Sequence, residues 1–407
     1  MKLLLIPNRE AWAVGTLARL FVLGAPSSWQ VRIISSREMS ANPTRFAEWI
    51  AWADMTHWML HKTFPAAEPF LSAGVHVTGV YHIETDERDF EYLRRADRLL
   101  VHAQHYGRRL VELGCDESRI DCLPLPVDDG FFRKTARKRA PASTSAAGRR
   151  FSIGFFAAAE YESGRKGMNL LPQILQRLRE KGIAARLVVS GLGWVSILKR
   201  PEFAGLPIEH VVTPSYFDMP SAYASLDVYL CLSSIEGGPM PVFEALACGV
   251  PVVSTTVGNI PDYLVPGESY REIPQNDADA AADALEAVYR DPAAHASMSA
   301  AGCDAIAEPL SIRTYQRRLV EFYAKAAGIS DIPPCAGERG VRQRILRHRW
   351  RAWDRTYWAK ECWRMGRRDL AIRFLLQAAL LNPLCAGLWR TVGRALGMLR
   401  DEVPLEG

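Results

Sequence analysis

Two glutamates eight residues apart, Glu236 and Glu244, flank a Gly237-Gly238-Pro239 turn within the stretch Leu226–Ser254. An apolar run enters Ser233-Ser234-Ile235-Glu236, and the pattern beyond the turn predicts a helix beginning near Pro241 and ending at Cys248-Gly249. Proline suits the first helical position because its missing N–H would be unpaired there anyway. This puts Glu236 at the carboxyl end of a strand and Glu244 one turn into the next helix. Carboxylates on both sides of a Gly-rich helix start can accept hydrogen bonds from vicinal hydroxyls, which is the chemistry of sugars and ribose. The amides of Val242, Phe243 and Glu244 are predicted to be free and to form a positive helix end for a phosphate or hydroxyl. Gly237, Gly238, Met240 and Val242 complete this candidate nucleotide-binding turn. Taken singly, Glu244 is also what a helix dipole favours, and Glu236 could be a solvated loop charge. The whole stretch is much harder to explain that way.

Other residues add to this chemistry. Lys166 precedes Gly167 and a predicted helix, Met168–Arg179, a place that the dipole makes unfavourable for an idle lysine. Its ammonium could neutralise a diphosphate leaving group, where charge gathers as the glycosidic bond breaks. Gly191 and Gly193 close another strand and permit backbone approach to a nucleotide, although a tight turn would need the same pair. His82 ends the predicted strand Val75–His82, and His61 with Lys62 ends Thr56–His61 as candidates for an acceptor side. Two patterns imitate metal sites. His57 and His61 are four apart, but on a strand that spacing separates the rings, with no third ligand evident. Asp277-Ala278-Asp279 resembles a metal-binding D-x-D, yet it directly precedes an alanine-rich helix, where Asn276 or Asp277 makes a good N-cap. The reading calls for neither a metal nor a bound cofactor. No G-x-G-x-x-G follows the first strand, so a dinucleotide dehydrogenase has little support.

Short apolar runs alternate with amphipathic stretches, the pattern of β-α-β units and parallel sheets. Strands are predicted at Lys2–Ile6, Gln30–Ser35, Thr56–His61, Val75–His82 and Arg98–His102. After a basic Ala/Ser-rich stretch they resume at Phe151–Phe156, Arg186–Ser190, Asp227–Leu232 and Val250–Ser254. The fold class is therefore α/β, with two Rossmann-like domains facing across a cleft, where ligands sit at the carboxyl ends of the strands. The divisions are 1–132, a linker at 133–150, a second domain at 151–309, a crossover helix at 310–332 and an all-α extension at 333–407. In that extension Trp358–Leu381 resembles one hairpin of a tetratricopeptide repeat, with Gly366 at the turn; a solenoid needs about three such units.

With 407 residues, 48% apolar and 23% charged, the composition is that of a folded protein rather than a disordered one. No uncharged apolar run approaches the ~18 residues of a membrane span, and the opening Met-Lys-Leu-Leu-Leu-Ile-Pro reads as a strand rather than a signal peptide. Eight scattered cysteines without a C-x-x-C pair point to reduced thiols in a cytoplasmic protein.

Glu236-(x7)-Glu244, within EGGPMPVFEALACGVPVVST, resembles the signature of the retaining, nucleotide-sugar-dependent glycosyltransferase family 4, which has the GT-B fold. The likeness extends over about 320 residues, through RADRLLVHAQHYGRRLVELGCDESRIDCLPLPVD, Lys166-Gly167, Ser190-Gly191-Leu192-Gly193 and Leu310–Tyr323. It implies that Glu236 binds donor-sugar hydroxyls, Glu244 binds the nucleotide ribose, and His82 faces the donor sugar. It also matches Gly15, in the loop after the first strand, to a glycine near the diphosphate, although Val14 stands where the family has a second glycine. Tyr161 stands where the family carries an arginine, and Arg165 is the candidate substitute. The implied activity is transfer of a hexose-type sugar to a glycan or glycolipid, in bacterial surface polysaccharide assembly. A nucleotide-sugar 2-epimerase and a non-enzymatic sugar-nucleotide-binding scaffold are the rivals.

Charge is uneven. From Pro333 onward there are 15 Lys and Arg against 7 Asp and Glu, with five of the eleven tryptophans. Basic, aromatic helices can lie in the headgroups of an anionic bilayer, so residues 341–400 are a candidate membrane or protein contact, peripheral on the inner face of the cell membrane. Packing of the same tryptophans onto the domains is the alternative. Nucleic acid is not expected, because no binding module accompanies the charge.

Overall fold

A computed structural model describes residues 1–10, 13–83, 87–136, 150–159, 164–211, 215–336 and 341–382. Most of the expected linker, Tyr161 and the tail beyond 382 lie outside the described residues.

The strands are β1 (Lys2–Ile6), β2 (Gln30–Ile33), β3 (Met55–Trp58), β4 (Val75–Val80), β5 (Arg98–Val101) and β6 (Ile120–Cys122), then β7 (Phe151–Phe156), β8 (Ala185–Ser190), β9 (Ile208–Val211), β10 (Val228–Cys231), β11 (Val252–Ser254) and β12 (Arg271–Glu272). They form two six-stranded sheets, ordered β2-β1-β3-β4-β5-β6 and β12-β11-β10-β7-β8-β9. Every named pairing is parallel. Central strands are covered on both faces, and so read as unbroken apolar runs such as Leu3–Ile6, each fully buried. β6, β9 and β12 are not foreseen from sequence. They are short edge strands with part-exposed side chains, so they lack that apolar signal.

Five helices do the positioning in the domains: α1 (Ala13–Gly24), α2 (Leu171–Glu180), α3 (Met219–Ala224), α4 (Met240–Ala247) and α5 (Ala278–Arg290). Asp277 caps α5 by accepting the Ala280 amide at 2.8 Å, the ordinary use of an aspartate before a helix. A further helix, α6 (Ile312–Ala326), returns to the first sheet. Its Tyr315, Leu319 and Tyr323 share a core with Leu3, Leu5 and Met55. The α6 side chain of Gln316 donates to the Leu20 carbonyl at 2.7 Å, and the Tyr323 hydroxyl lies 2.7 Å from His57 Nδ1. The chain thus crosses from the second sheet back onto the first.

The extension forms α7 (Val341–Arg364) and α8 (Arg368–Leu381), a hairpin turned at Gly366. Trp358, Ala359, Cys362, Ala371 and Phe374 make its small core. Two of the tryptophans of α7, Trp350 and Trp358, turn inward, while Trp363 is 37% exposed. Trp350 is 5% exposed and stacks on Tyr216 at 5.0 Å, and Trp358 is 3% exposed. Arg355 grips Asp218 with both nitrogens, and Arg347 reaches Asp128 at 3.2 Å. The Arg19 guanidinium of α1 lies 3.8 Å from the Trp353 ring centre. Trp350 and Trp353 thus meet the domains, while Trp358 belongs to the hairpin's own core. No helix among the described residues is long and apolar enough to cross a membrane.

Candidate functional site

The carboxyl ends of the two sheets face each other across a cavity of about 400 Å³. The first half contributes Val14, Lys62, Tyr81 and His82, and the second contributes Arg165, Lys166 and Glu236. Glu236 arrives in the turn after β10, while Lys166 and Arg165 come from the loop between β7 and α2. The Lys166 ammonium donates to Glu236 Oε1, and Arg165 lies 3.6 Å from the other carboxylate oxygen while donating to the Ile235 carbonyl. Burial alone would raise the Glu236 carboxyl, but Lys166 and then Arg165 outweigh it and hold the group below its ordinary value. The cavity therefore presents two fixed cations and one ionised carboxylate at an interdomain cleft.

The two halves touch at this point. The Tyr106 hydroxyl donates 3.0 Å to the Glu236 backbone carbonyl. A Cβ on Gly237 would stand 1.9 Å from the Tyr81 carbonyl oxygen, so only glycine lets the two backbones meet. His82 follows Tyr81 directly, two residues beyond the end of β4.

A smaller cavity of about 240 Å³ shares Ala13, Phe156, Ala157, Ala158, Met240 and Pro241 with the first, so the two form one crevice. Glu244, Ser190 and Gly191 line it. Glu244 is 7% exposed, and Tyr223 of α3 donates to its Oε2 at 2.7 Å. Burial pushes the Glu244 carboxyl up to about 7, against the opposing pull of the Tyr223 hydroxyl.

Several sequence expectations need correction. The helix end offers fewer free amides than predicted, and the prolines beside it, Pro239 before it and Pro241 within it, have none to give. The amides that remain are engaged: Met240 donates to Gly238 at 2.8 Å and Val242 to Pro239 at 2.9 Å. Phe243 and Glu244 lie past the first turn, where the helix ladder takes the amides. The Val242 side chain is core, fully buried. Gly15 sits inside α1 rather than in a loop, and a Cβ there would stand 2.2 Å from the Glu10 carbonyl. His61 begins a 3₁₀ helix, His61–Phe70, because β3 ends at Trp58; its buried ring packs edge-on against His82, centroids 6.3 Å apart. Lys62 alone of that pair lines the cavity. Gly193 precedes a short helix, Trp194–Ile197, while Gly191 lines the smaller cavity. Gly238 stays at the first cavity, and Met240 lines both. Tyr81, Tyr106 and Tyr223 were missed, since each reaches the site through the tertiary fold and no local spacing marks it.

Residues 150–291 match the family described as Glycosyl transferases group 1. The chain is 28% identical over 208 residues to the putative colanic acid biosynthesis glycosyltransferase WcaL of Escherichia coli (strain K12), covering 48% of each chain. It is 26% identical over 252 residues to a D-inositol 3-phosphate glycosyltransferase of Mycolicibacterium paratuberculosis, covering 58% of this chain and 56% of that one. The chain thus spans about half the length of the curated relatives it matches. Among solved structures, Anabaena HepE in complex with UDP-glucose superposes with a TM-score of 0.65 at 12% identity, over 80% of this chain and 100% of that one. Sucrose-phosphate synthase from Thermosynechococcus elongatus gives 0.66 at 13% identity, over 81% and 100%. With these likenesses and its two facing parallel sheets, the chain has the GT-B fold, and its second Rossmann-like half carries a glycosyltransferase group 1 domain.

Proposed function

We propose that this chain is a retaining glycosyltransferase that moves a hexose-type sugar from a nucleotide-diphosphate donor to a glycan or glycolipid acceptor. The observation that carries this reading is the Lys166–Glu236–Arg165 cluster on the interdomain cavity, in one crevice with Glu244. The ribose lies at Glu244, the diphosphate meets Lys166 and Arg165, and Glu236 accepts hydroxyls of the donor sugar. The acceptor enters from the side of His82 and Lys62. Cations fixed where charge develops stabilise the departing diphosphate without reorganising during the reaction.

The bond from the anomeric carbon to the phosphate oxygen breaks as a bond to the acceptor oxygen forms on the same face. The departing phosphate takes the acceptor hydroxyl's proton, so the anomeric configuration is retained. The names of relatives in colanic acid biosynthesis favour a surface polysaccharide or its lipid-linked precursor as acceptor. Work at the inner membrane face suits such an acceptor, and the exposed Arg342, Arg344, Arg349 and Arg351 of α7 are the surface available to anionic headgroups.

The test is to incubate the protein with UDP-, GDP- and ADP-linked hexoses, with and without lipid-linked or oligosaccharide acceptors, and to read the anomeric configuration of any product by NMR. A retained linkage, lost in Glu236→Ala and Lys166→Ala, supports the proposal. An inverted product defeats the retaining mechanism, and donor epimerised without acceptor favours the epimerase.

A further inference from the structure

The smaller cavity has a wall that belongs to neither sheet. Trp350, Trp353 and Asp354 of α7 line it together with Tyr216, Ser190 and Glu244. The wall is built in place. Trp350 stacks on Tyr216, Arg355 holds Asp218 with both nitrogens, and the Ser215 hydroxyl donates to Asp354 Oδ2. Besides Glu244, Asp354 and Ser190 retain hydrogen-bonding capacity in this cavity. Asp354 is 5% exposed, and Ser215 is its hydrogen-bond donor among the described residues, although a carboxylate offers about four acceptor positions. The Ser190 hydroxyl is 1% exposed and finds no partner among the described residues. Aromatic sides with acceptors at an edge complement a flat heterocycle whose rim carries N–H groups.

We infer that α7 completes the nucleoside end of the site, with Asp354 accepting an N–H from the base of the donor nucleotide, so that the helical extension helps to select the base. This rests on the reading that the Glu244 end of the crevice takes the nucleoside. It adds a base-contacting residue from outside the glycosyltransferase group 1 domain.

The experiment is calorimetric titration of UDP, GDP and ADP into the full chain, comparing wild type with Glu244→Ala, Asp354→Asn and Arg347→Ala, each checked for a cooperative thermal unfolding transition in the absence of nucleotide. Wild type is expected to prefer one base. Asp354→Asn should change the ratio of dissociation constants among the three by tenfold or more. Glu244→Ala should weaken all three by a similar factor, because ribose is common to them. Arg347→Ala, which loosens α7 at its Asp128 contact but leaves Asp354 and its Ser215 donor in place, should leave the ratios unchanged. Equal affinities in wild type, unchanged ratios in Asp354→Asn, or the same ratio change in Arg347→Ala would each overturn the inference while leaving the glycosyltransferase reading standing. Failure of wild type to bind any of the three removes both.

Discussion

Lys166 and Glu236, 70 residues apart in the chain, form a direct ion pair in which the two side chains are 19% and 11% exposed. Each is the other's nearest counter-ion, so Lys166→Met has two separable effects. Loss of a cation beside the leaving group should lower kcat by about 10² to 10³, the usual effect of removing one electrostatic stabiliser. Stability should fall by up to about 3 kcal/mol, because a buried carboxylate loses its partner. Arg165 at 3.6 Å keeps the loss below that limit. Adding Glu236→Gln to Lys166→Met should recover part of the stability but none of the turnover. Urea unfolding and steady-state rates on the three variants check this.

Glu244 predicts a pH dependence with a definite sign. Its carboxyl sits at about 7 in the folded chain against an ordinary value of 4.5, so the folded state holds the proton more tightly. Its contribution to stability is therefore complete below about pH 4.5 and is lost as pH rises through 7, by at most about 3 kcal/mol. Glu244→Gln should remove that slope, so unfolding at pH 5 and pH 8 should show wild type losing stability relative to the variant. Ribose hydroxyls favour the ionised carboxylate, so nucleotide binding near pH 6.5 should release a proton. Calorimetry in buffers of different ionisation enthalpy measures that release, and Glu244→Gln should abolish it.

Gly237 is a contact between halves. A Cβ there would stand 1.9 Å from the Tyr81 carbonyl oxygen, which belongs to backbone and cannot rotate away. Gly237→Ala should push the halves apart at the reacting end of the crevice. About 1 to 3 kcal/mol of stability should be lost to overpacking, and kcat should drop much more than nucleotide affinity, because Glu244 lies at the other cavity. Small-angle scattering should report a more open molecule. Equal losses in kcat and nucleotide affinity would contradict this division.

These predictions rest on features that the sequence reveals to very different degrees. Central strands were legible because burial on both faces demands mostly apolar residues, as in Lys2–Ile6 beyond its exposed first residue and in Phe151–Phe156, whose limits match those predicted. Edge strands such as Ile208–Val211 carry no such demand, and they passed unnoticed. Glu236 and Lys166 were each visible at a strand end or before a helix, but their pairing spans separate loops and has no local period. The helix start at Met240 was legible from Pro241, yet the Val242 amide that the functional expectation counted as free donates to the Pro239 carbonyl. The tail's basic and aromatic composition fits either a bilayer or a protein surface. Only the fold shows that Trp350 meets Tyr216.

The seam between α6 and the first sheet supplies a last prediction. Tyr323 and His57 meet at 2.7 Å in a fully buried place. Burial, helped by His102, pushes the His57 imidazole down to about 3, so the ring is neutral from pH 5 to pH 8. Tyr323→Phe keeps the aromatic packing with Phe21 and Trp29 but strands the His57 nitrogen. An unpartnered buried polar atom costs about 1 to 3 kcal/mol, and the loss should appear first as faster hydrogen exchange in α6. Because His57 does not titrate between pH 5 and 8, the loss should be the same at both ends of that range. A loss that grew towards pH 5 would mean that the ring takes up a proton there, and that burial is not what controls it.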